Sequence, residues 1–247
     1  MNIDEHFIET SRFERKYRCP INQYFSVKSA LYPYLKKDLF TEISPDKKYL
    51  VRSLYFDTYD YRLFMEKING NSDRIKFRIR TYGSTEGDSP DIRIEMKVRQ
   101  ANLTTKYGAY ITLTDCESFL DHRRWDNRND PVLMEFERQS HLLNLLPKSL
   151  VEYQREGFHT IDGNNIRITF DHRIKSASSN KLFPEHIFWH IHHSQMVVME
   201  IKHQGSIPGW LNKIIKNHGL HLVANSKFVY GIQASRPDLI HPAWSHR

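Results

Sequence analysis

Four stretches of this chain alternate charge with hydrocarbon, and most of the charges are cations. Ile92–Arg99 sets Arg93, Glu95, Lys97 and Arg99 against Ile92, Ile94, Met96 and Val98. Asp73–Tyr82 sets Arg74, Lys76, Arg78, Arg80 and Tyr82 against Ile75, Phe77 and Ile79. Asn164–Ile174 carries Arg167, Thr169, Asp171 and Arg173 opposite Ile166, Ile168 and Phe170, and Gln195–His203 carries Glu200 and Lys202 opposite Val197, Met199 and Ile201. Guanidinium groups grip phosphate oxygens through two parallel hydrogen bonds, and lysines add point charge. Carboxylates among them are hard oxygen ligands for Mg²⁺ or Mn²⁺. The chemistry open to these residues is the binding of a phosphate-rich anion together with a divalent metal.

A period of two places successive side chains on opposite faces of a strand. If such strands form an open sheet, the charged face meets water and means little. If they close into a barrel, the charges line a lumen. The inward set is then Lys16, Lys76, Arg78, Arg80, Arg93, Lys97, Arg99, Lys106, Arg155, Arg167, Lys202 and Lys227, against Glu14, Glu95, Asp171 and Glu200. Like charges confined at low dielectric repel strongly unless a polyanion and its metal neutralise them.

In chain order, strands are expected over Phe7–Arg18, Lys47–Asp57, Asp73–Tyr82, Ile92–Arg99, Thr104–Leu113, Ser149–Phe158, Asn164–Ile174, Gln195–His203 and Ser226–Ala234. Helices are expected over Gln23–Lys37, Thr58–Lys67, Cys116–Trp125 (capped by Thr114 or Asp115), Pro131–Leu146 and Pro208–His218. They cover the apolar strand faces from outside. The fold class is α+β: a closed antiparallel β-barrel with helices packed on the outside. Gly83–Pro90 is read as a polar loop. No repeat or composition break divides the chain, so one domain is expected over 1–235, followed by a loose tail over 236–247.

Composition narrows the partners. The 247 residues carry a formal net charge of +7 with 14 histidines uncounted, and 39% hydrophobic residues suffice for a core. Nucleic acid, anionic membrane, nucleotides and polyphosphates all suit that charge. Cys19 and Cys116 form no close pair, which fits a reducing compartment. No apolar h-region opens the chain, and no run approaches the ~20 residues of a membrane helix, so a cytoplasmic protein is expected. The aromatics mostly alternate away from the cations, which removes a stacking platform for single strands, and no nucleic acid is expected. No Gly-rich phosphate loop occurs. Asp57 is read as either a metal ligand or a helix cap.

Eight short motifs then fall in a recognisable order: Phe13-Glu14-Arg15-Lys16-Tyr17, Ser53-Leu54-Tyr55-Phe56-Asp57, Arg78-Ile79-Arg80-Thr81-Tyr82-Gly83, Glu95-Met96-Lys97, Tyr153-Gln154-Arg155, Ile166-Arg167-Ile168, Glu200-Ile201-Lys202 and Ser226-Lys227-Phe228. The chain, from about Phe13 to Ile232, resembles the polyphosphate-polymerase domain of the vacuolar transporter chaperone (VTC) family, within the triphosphate tunnel metalloenzyme or CYTH-like superfamily. The resemblance implies a tunnel that uses ATP to extend inorganic polyphosphate with Mn²⁺ or Mg²⁺. It implies phosphate ligands at Lys16, Arg78, Arg80, Lys97, Arg155, Arg167 and Lys227, a hydrogen-bond donor at Tyr153 and a metal ligand at Glu200. Lys202, Glu95 and Glu14 are further lumen positions, the two glutamates as candidate metal ligands beside Glu200.

One departure bears on activity. Tunnel phosphohydrolases carry Glu-x-Glu-x-Lys on the first strand, whereas this chain reads Arg12-Phe13-Glu14-Arg15-Lys16. A cation replaces the first glutamate, which favours a polymerase over a water-activating hydrolase. A tunnel triphosphatase and a non-catalytic polyphosphate-binding module are the rival readings. Family members with membrane helices couple synthesis to transport; this chain shows no such segment, so coupling would need a separate membrane partner.

Overall fold

The computed structural model describes residues 6–9, 13–82, 91–101, 103–126 and 129–240. The chain opens with β1 (His6–Glu9) and β2 (Phe13–Pro20), then α1 (Ile21–Leu31), the short β3 (Leu35–Lys37) and α2 (Leu39–Ile43). Next come β4 (Tyr49–Asp57), α3 (Arg62–Ile68), β5 (Arg74–Tyr82), β6 (Asp91–Gln100) and β7 (Leu103–Ile111). Two helices follow, α4 (Leu113–His122) and α5 (Pro131–Leu142), then β8 (Leu146–Thr160), β9 (Arg167–Ala177), β10 (His190–Ile191) and β11 (Met196–His203). The helices α6 (Gly209–Asn217) and α7 (Lys227–Ser235) complete the set. The expected loop Gly83–Pro90 lies outside the described residues, as does the expected tail beyond Ile240.

All the strand pairings are antiparallel, and the main path runs β1-β7-β6-β5-β4-β8-β9-β11-β2, with β3 and β10 pairing off it. The expected closed barrel is therefore corrected. Among the described residues the ladder is an open path, ending at β1 on one side and β2 on the other. The single strand read over Phe7–Arg18 is two strands, one at each end of that path. The sheet nevertheless curls far enough for the Lys97 ammonium on β6 to donate to Glu14 on edge strand β2 at 2.8 Å.

The apolar faces are buried outward, as the alternation requires. Phe77, Ile79, Ile94 and Met96 pack with Phe64, Phe119, Phe136 and Trp125 in one core. Tyr17, Met199, Ile201, Ile168 and Phe170 pack with Val27, Leu211 and Ile215 in a second. Helix ends follow local chemistry. Thr112 and Asp115 form a reciprocal capping box on α4, two residues earlier than the first cap expected from sequence. Asn144, at φ +48°, stops α5 short of the expected Leu146. Pro147 instead sits in β8 beside a register shift, where a missing N–H is tolerated. Asp57 is a cap, its carboxylate accepting from the backbone N–H of Leu63 at 2.9 Å and Phe64 at 3.0 Å.

Ser226–Ala234, expected as a strand, is helix α7. The Ser226 hydroxyl accepts from the Val229 N–H, and Phe228, Val229 and Ile232 bury one helical face. No helix among the described residues is long and apolar enough to cross a membrane.

A short helix not anticipated from sequence, α2, docks where β8 carries Gly157. The Thr41 hydroxyl accepts from the Gly157 N–H at 2.7 Å, and Asp38, the α2 cap, lies against the Gly157 α-carbon. A Cβ at 157 would overlap the Asp38 carboxylate. Gly157→Ala is expected to destabilise the protein by about 1–3 kcal/mol in urea denaturation, the usual cost of overpacking; an unchanged midpoint would contradict this docking.

Candidate functional site

The concave side of the curled sheet encloses a cavity of about 600 Å³. All twelve residues expected at the site line it: Glu14 and Lys16 from β2, Arg78 and Arg80 from β5, Glu95 and Lys97 from β6, Tyr153 and Arg155 from β8, Arg167 from β9, Glu200 and Lys202 from β11, and Lys227 from the first turn of α7. Strand parity does most of the positioning. Cross-strand register stacks Arg78 beside Glu95 and Tyr55, Glu200 beside Lys16, and Lys202 beside Glu14 and Arg167. Lys227 arrives by a different route, being carried inward because Ser226 starts a helix there. Arg99, expected inward, is absent from the lining; its guanidinium donates to the Ala101 carbonyl at 2.9 Å.

The described lining holds eleven cationic side chains and three carboxylates. Each carboxylate is consequently shared. Glu95 is buried among Arg78, Arg80 and Lys106, the last at 2.9 Å. Burial would push its carboxyl up, yet those three cations hold it well below the usual carboxylate range. Asp171, fully buried just behind the lining, takes two hydrogen bonds from Arg155 (2.6 and 2.9 Å) and one from Lys227 (2.5 Å). Burial opposes its ionisation, but Arg155 and Lys227 lower it to about 2.

Glu14 and Glu200 form the remaining pair. Lys16 lies 3.6 Å from each, and Lys202 lies 3.8 Å from Glu14 and 3.7 Å from Glu200. Against burial and mutual repulsion, Lys16, Lys97 and Lys202 lower Glu14 to about 2. Glu200 is held well below its ordinary value despite burial, chiefly by Lys16 and Lys202. Both are ionised, oxygen-only donors. Among the described residues no group of three or more His, Cys, Asp or Glu side chains converges. A hard divalent ion here would complete its shell with phosphate oxygens, which suits Mg²⁺ and Mn²⁺.

Several participants stand outside the ligand set expected from the sequence. Asp38 accepts from Arg167 at 2.9 Å and from the Tyr49 hydroxyl at 3.3 Å, so a helix cap aims a cavity arginine. Nothing in the periodicity marks a loop residue for that task. Tyr55 accepts from Arg78 and Tyr82 from Arg80, each at 3.2 Å. Burial would raise the Tyr82 hydroxyl, but Arg80 foremost draws it down to about 8. Both tyrosines share strand parity with the cations or fall within the motifs, which is the signal that could have found them. Tyr153, expected as a donor, stands with its ring under two cations, Lys227 at 4.5 Å and Arg155 at 5.1 Å.

A family model described as the VTC domain matches residues 11–236. No curated protein matches the chain. Among solved structures, a candidate adenylate cyclase of Bacillus halodurans aligns at 15% identity over 89% of this chain and 95% of its own, with a TM-score of 0.54. The PH1819 protein of Pyrococcus horikoshii OT3 aligns at 10% identity over 90% and 99%, with a TM-score of 0.48. The first likeness shows a shared fold and nothing of activity; the second carries no argument.

Asp171 provides a test of the electrostatics. Its carboxyl moves from 3.8 to about 2 on folding, so its contribution is present above pH ~4 and fades as pH falls toward ~2. Asp171→Asn is expected to cost about 3–5 kcal/mol near neutrality by leaving Arg155 and Lys227 uncompensated. In urea unfolding across pH, the gap between wild type and variant should narrow on acidification through that window. A constant gap would contradict the assigned pairing.

Proposed function

Because the chain belongs to the VTC domain family, we propose that it is an ATP-dependent polyphosphate polymerase whose phosphates lie in the cationic cavity. The observation that carries the reading is that eleven cations from several strands and one helix line a single cavity against three lining carboxylates. They still outnumber six once Asp38, Asp91 and Asp171, which pair with lining cations from outside the lining, are counted. An extended polyanion suits that distribution, because the cations come from β2, β5, β6, β7, β8, β9, β11 and α7 rather than from one spot. Arg78, Arg80, Arg155 and Arg167 offer planar forks to phosphate oxygens, while Lys16, Lys97, Lys202 and Lys227 supply point charges. Tyr153 holds Arg155 and Lys227 over its ring.

Phosphoryl transfer needs positioning and charge neutralisation more than covalent help. A terminal oxygen of the polyphosphate acceptor attacks the γ-phosphorus of ATP. The bond from that phosphorus to the β–γ bridging oxygen breaks, and its electron pair departs with ADP. The acceptor is already anionic, so the cavity need furnish no general base. Arg78 and Arg80 would hold the transferring group as charge builds on its oxygens. Lys97, Arg155 and Arg167 would steady the flanking phosphates, and Lys16, Lys202 and Lys227 the remainder of the chain.

Glu200, with Glu14 beside it, is the pair we assign to Mn²⁺ or Mg²⁺. A bound ion would offset phosphate charge and polarise a phosphoryl oxygen. Glu95, clasped by Arg78, Arg80 and Lys106, can reach a metal only once phosphate has drawn those cations away. The lysines around Glu200 stand off at 3.6 and 3.7 Å, whereas Lys106 closes on Glu95 to 2.9 Å, so the reading rests the metal first on Glu200, with Glu14 beside it. The same clasping favours transfer over hydrolysis, since it leaves Glu95 poorly placed to activate water.

The test is product analysis of purified protein with ATP and Mn²⁺. Long-chain polyphosphate and ADP are expected. Glu200→Gln and Arg80→Ala should each lower product formation by about a hundredfold or more while retaining the wild-type circular dichroism. Free phosphate as sole product would indicate a tunnel triphosphatase, and no turnover with intact anion binding would indicate a polyphosphate-binding module. Full activity in either variant would overturn the site.

A further inference from the structure

Ten of the eleven cations in the described lining lie within ion-pair distance of a carboxylate. Lys76 differs. Among the described residues its ammonium has one polar partner, the Ser226 hydroxyl at 3.1 Å, and it stands 5.5 Å from the centre of the Phe228 ring. The charges that bear on it most strongly are positive. Lys97 is directly opposite in the β5–β6 register, Lys16 faces it from β2, Lys67 from the end of α3, and Arg74 precedes it on its own strand. Glu14 is engaged by Lys97 and Lys16 and makes no ion pair with it.

Directly opposed like charges destabilise a strand pair and are not expected without a compensating role. Burial first, and then Lys16, Lys97, Lys67 and Arg74, hold the Lys76 ammonium well below the ordinary lysine range. A phosphate chain entering the cavity would reverse the sign of the local field and restore that charge. We propose that Lys76 is a further anion ligand of this cavity, kept without a carboxylate partner so that the bound phosphate chain serves as its counter-ion and a proton is taken up as that chain arrives. The inference rests on the proposed phosphate-binding role of the cavity and adds to it a residue and a coupling. Ser226, the cap of α7, would then link occupancy at Lys76 to the helix that carries Lys227.

The experiment is calorimetric titration of the full chain with tripolyphosphate, repeated in buffers of different ionisation enthalpy to count protons. The wild type is expected to take up protons, increasingly so as pH climbs toward the ordinary lysine range. Lys76→Met should bind about tenfold or more weakly and lose that uptake. Lys76→Arg should keep most of the affinity yet lose the uptake, because its guanidinium stays charged throughout. A Lys76→Met variant with wild-type affinity and proton count would overturn the role of Lys76 while leaving the cavity's function intact. A variant that binds weakly but takes up the same protons would assign the uptake to another group and overturn the coupling. A wild type that fails to bind tripolyphosphate would remove the proposed function and this inference together.

Discussion

The constraint on which this structure turns is electrostatic: more positive charge faces a small cavity than its own carboxylates can neutralise. Two unit charges at 4 Å interact by about 4 kcal/mol at an effective dielectric of 20, so the surplus is costly. The fold contains it by sharing. Glu95 serves three cations, Asp171 serves two, and Glu14 and Glu200 hold Lys16 and Lys202 between them. Each carboxylate stays ionised because its cations outweigh its burial. What remains uncompensated is an electrostatic demand for an anion.

The architecture answers that demand from outside inward. Alternating strands put hydrocarbon on one face and charge on the other, and two separate cores absorb the hydrocarbon beneath the helices. Freed from packing duty, the concave face can be almost wholly polar. Two local devices refine it. Helix α7 delivers Lys227 to Asp171, and the cap of α2 delivers Asp38 to Arg167. Each depends on a single residue: Ser226 caps the one helix, and Gly157, lacking a Cβ, leaves room for the cap of the other.

The parity of Arg74–Tyr82, Asp91–Gln100 and Met196–His203 is legible in the chain because a period of two needs no tertiary information. That is why residue order alone places Arg78, Arg80, Glu95, Lys97, Glu200 and Lys202 on one face. What residue order does not carry depends on other kinds of physics. Whether a sheet closes is a matter of edge pairing, and β1 and β2, adjacent in sequence, lie at opposite ends of the path. Lys227 faces the cavity from a helix rather than the expected strand; Phe228, Val229 and Ile232 stand at i, i+1 and i+4, a helical spacing, but over too short a run to outweigh the aromatic and β-branched residues that suggest a strand. Parity also fails past Arg173, which turns outward at φ +49° near a register shift between β8 and β9. Asp38 belongs to no periodic element, so no alternation points to it.

Thermal denaturation with tripolyphosphate tests the central claim most directly, because it asks whether an extended phosphate chain relieves the charge surplus. Tm should rise with the logarithm of tripolyphosphate concentration above its dissociation constant. Sodium chloride and sulfate at matched ionic strength should not reproduce the rise. A Tm that tripolyphosphate raises no further than those salts do would contradict the account.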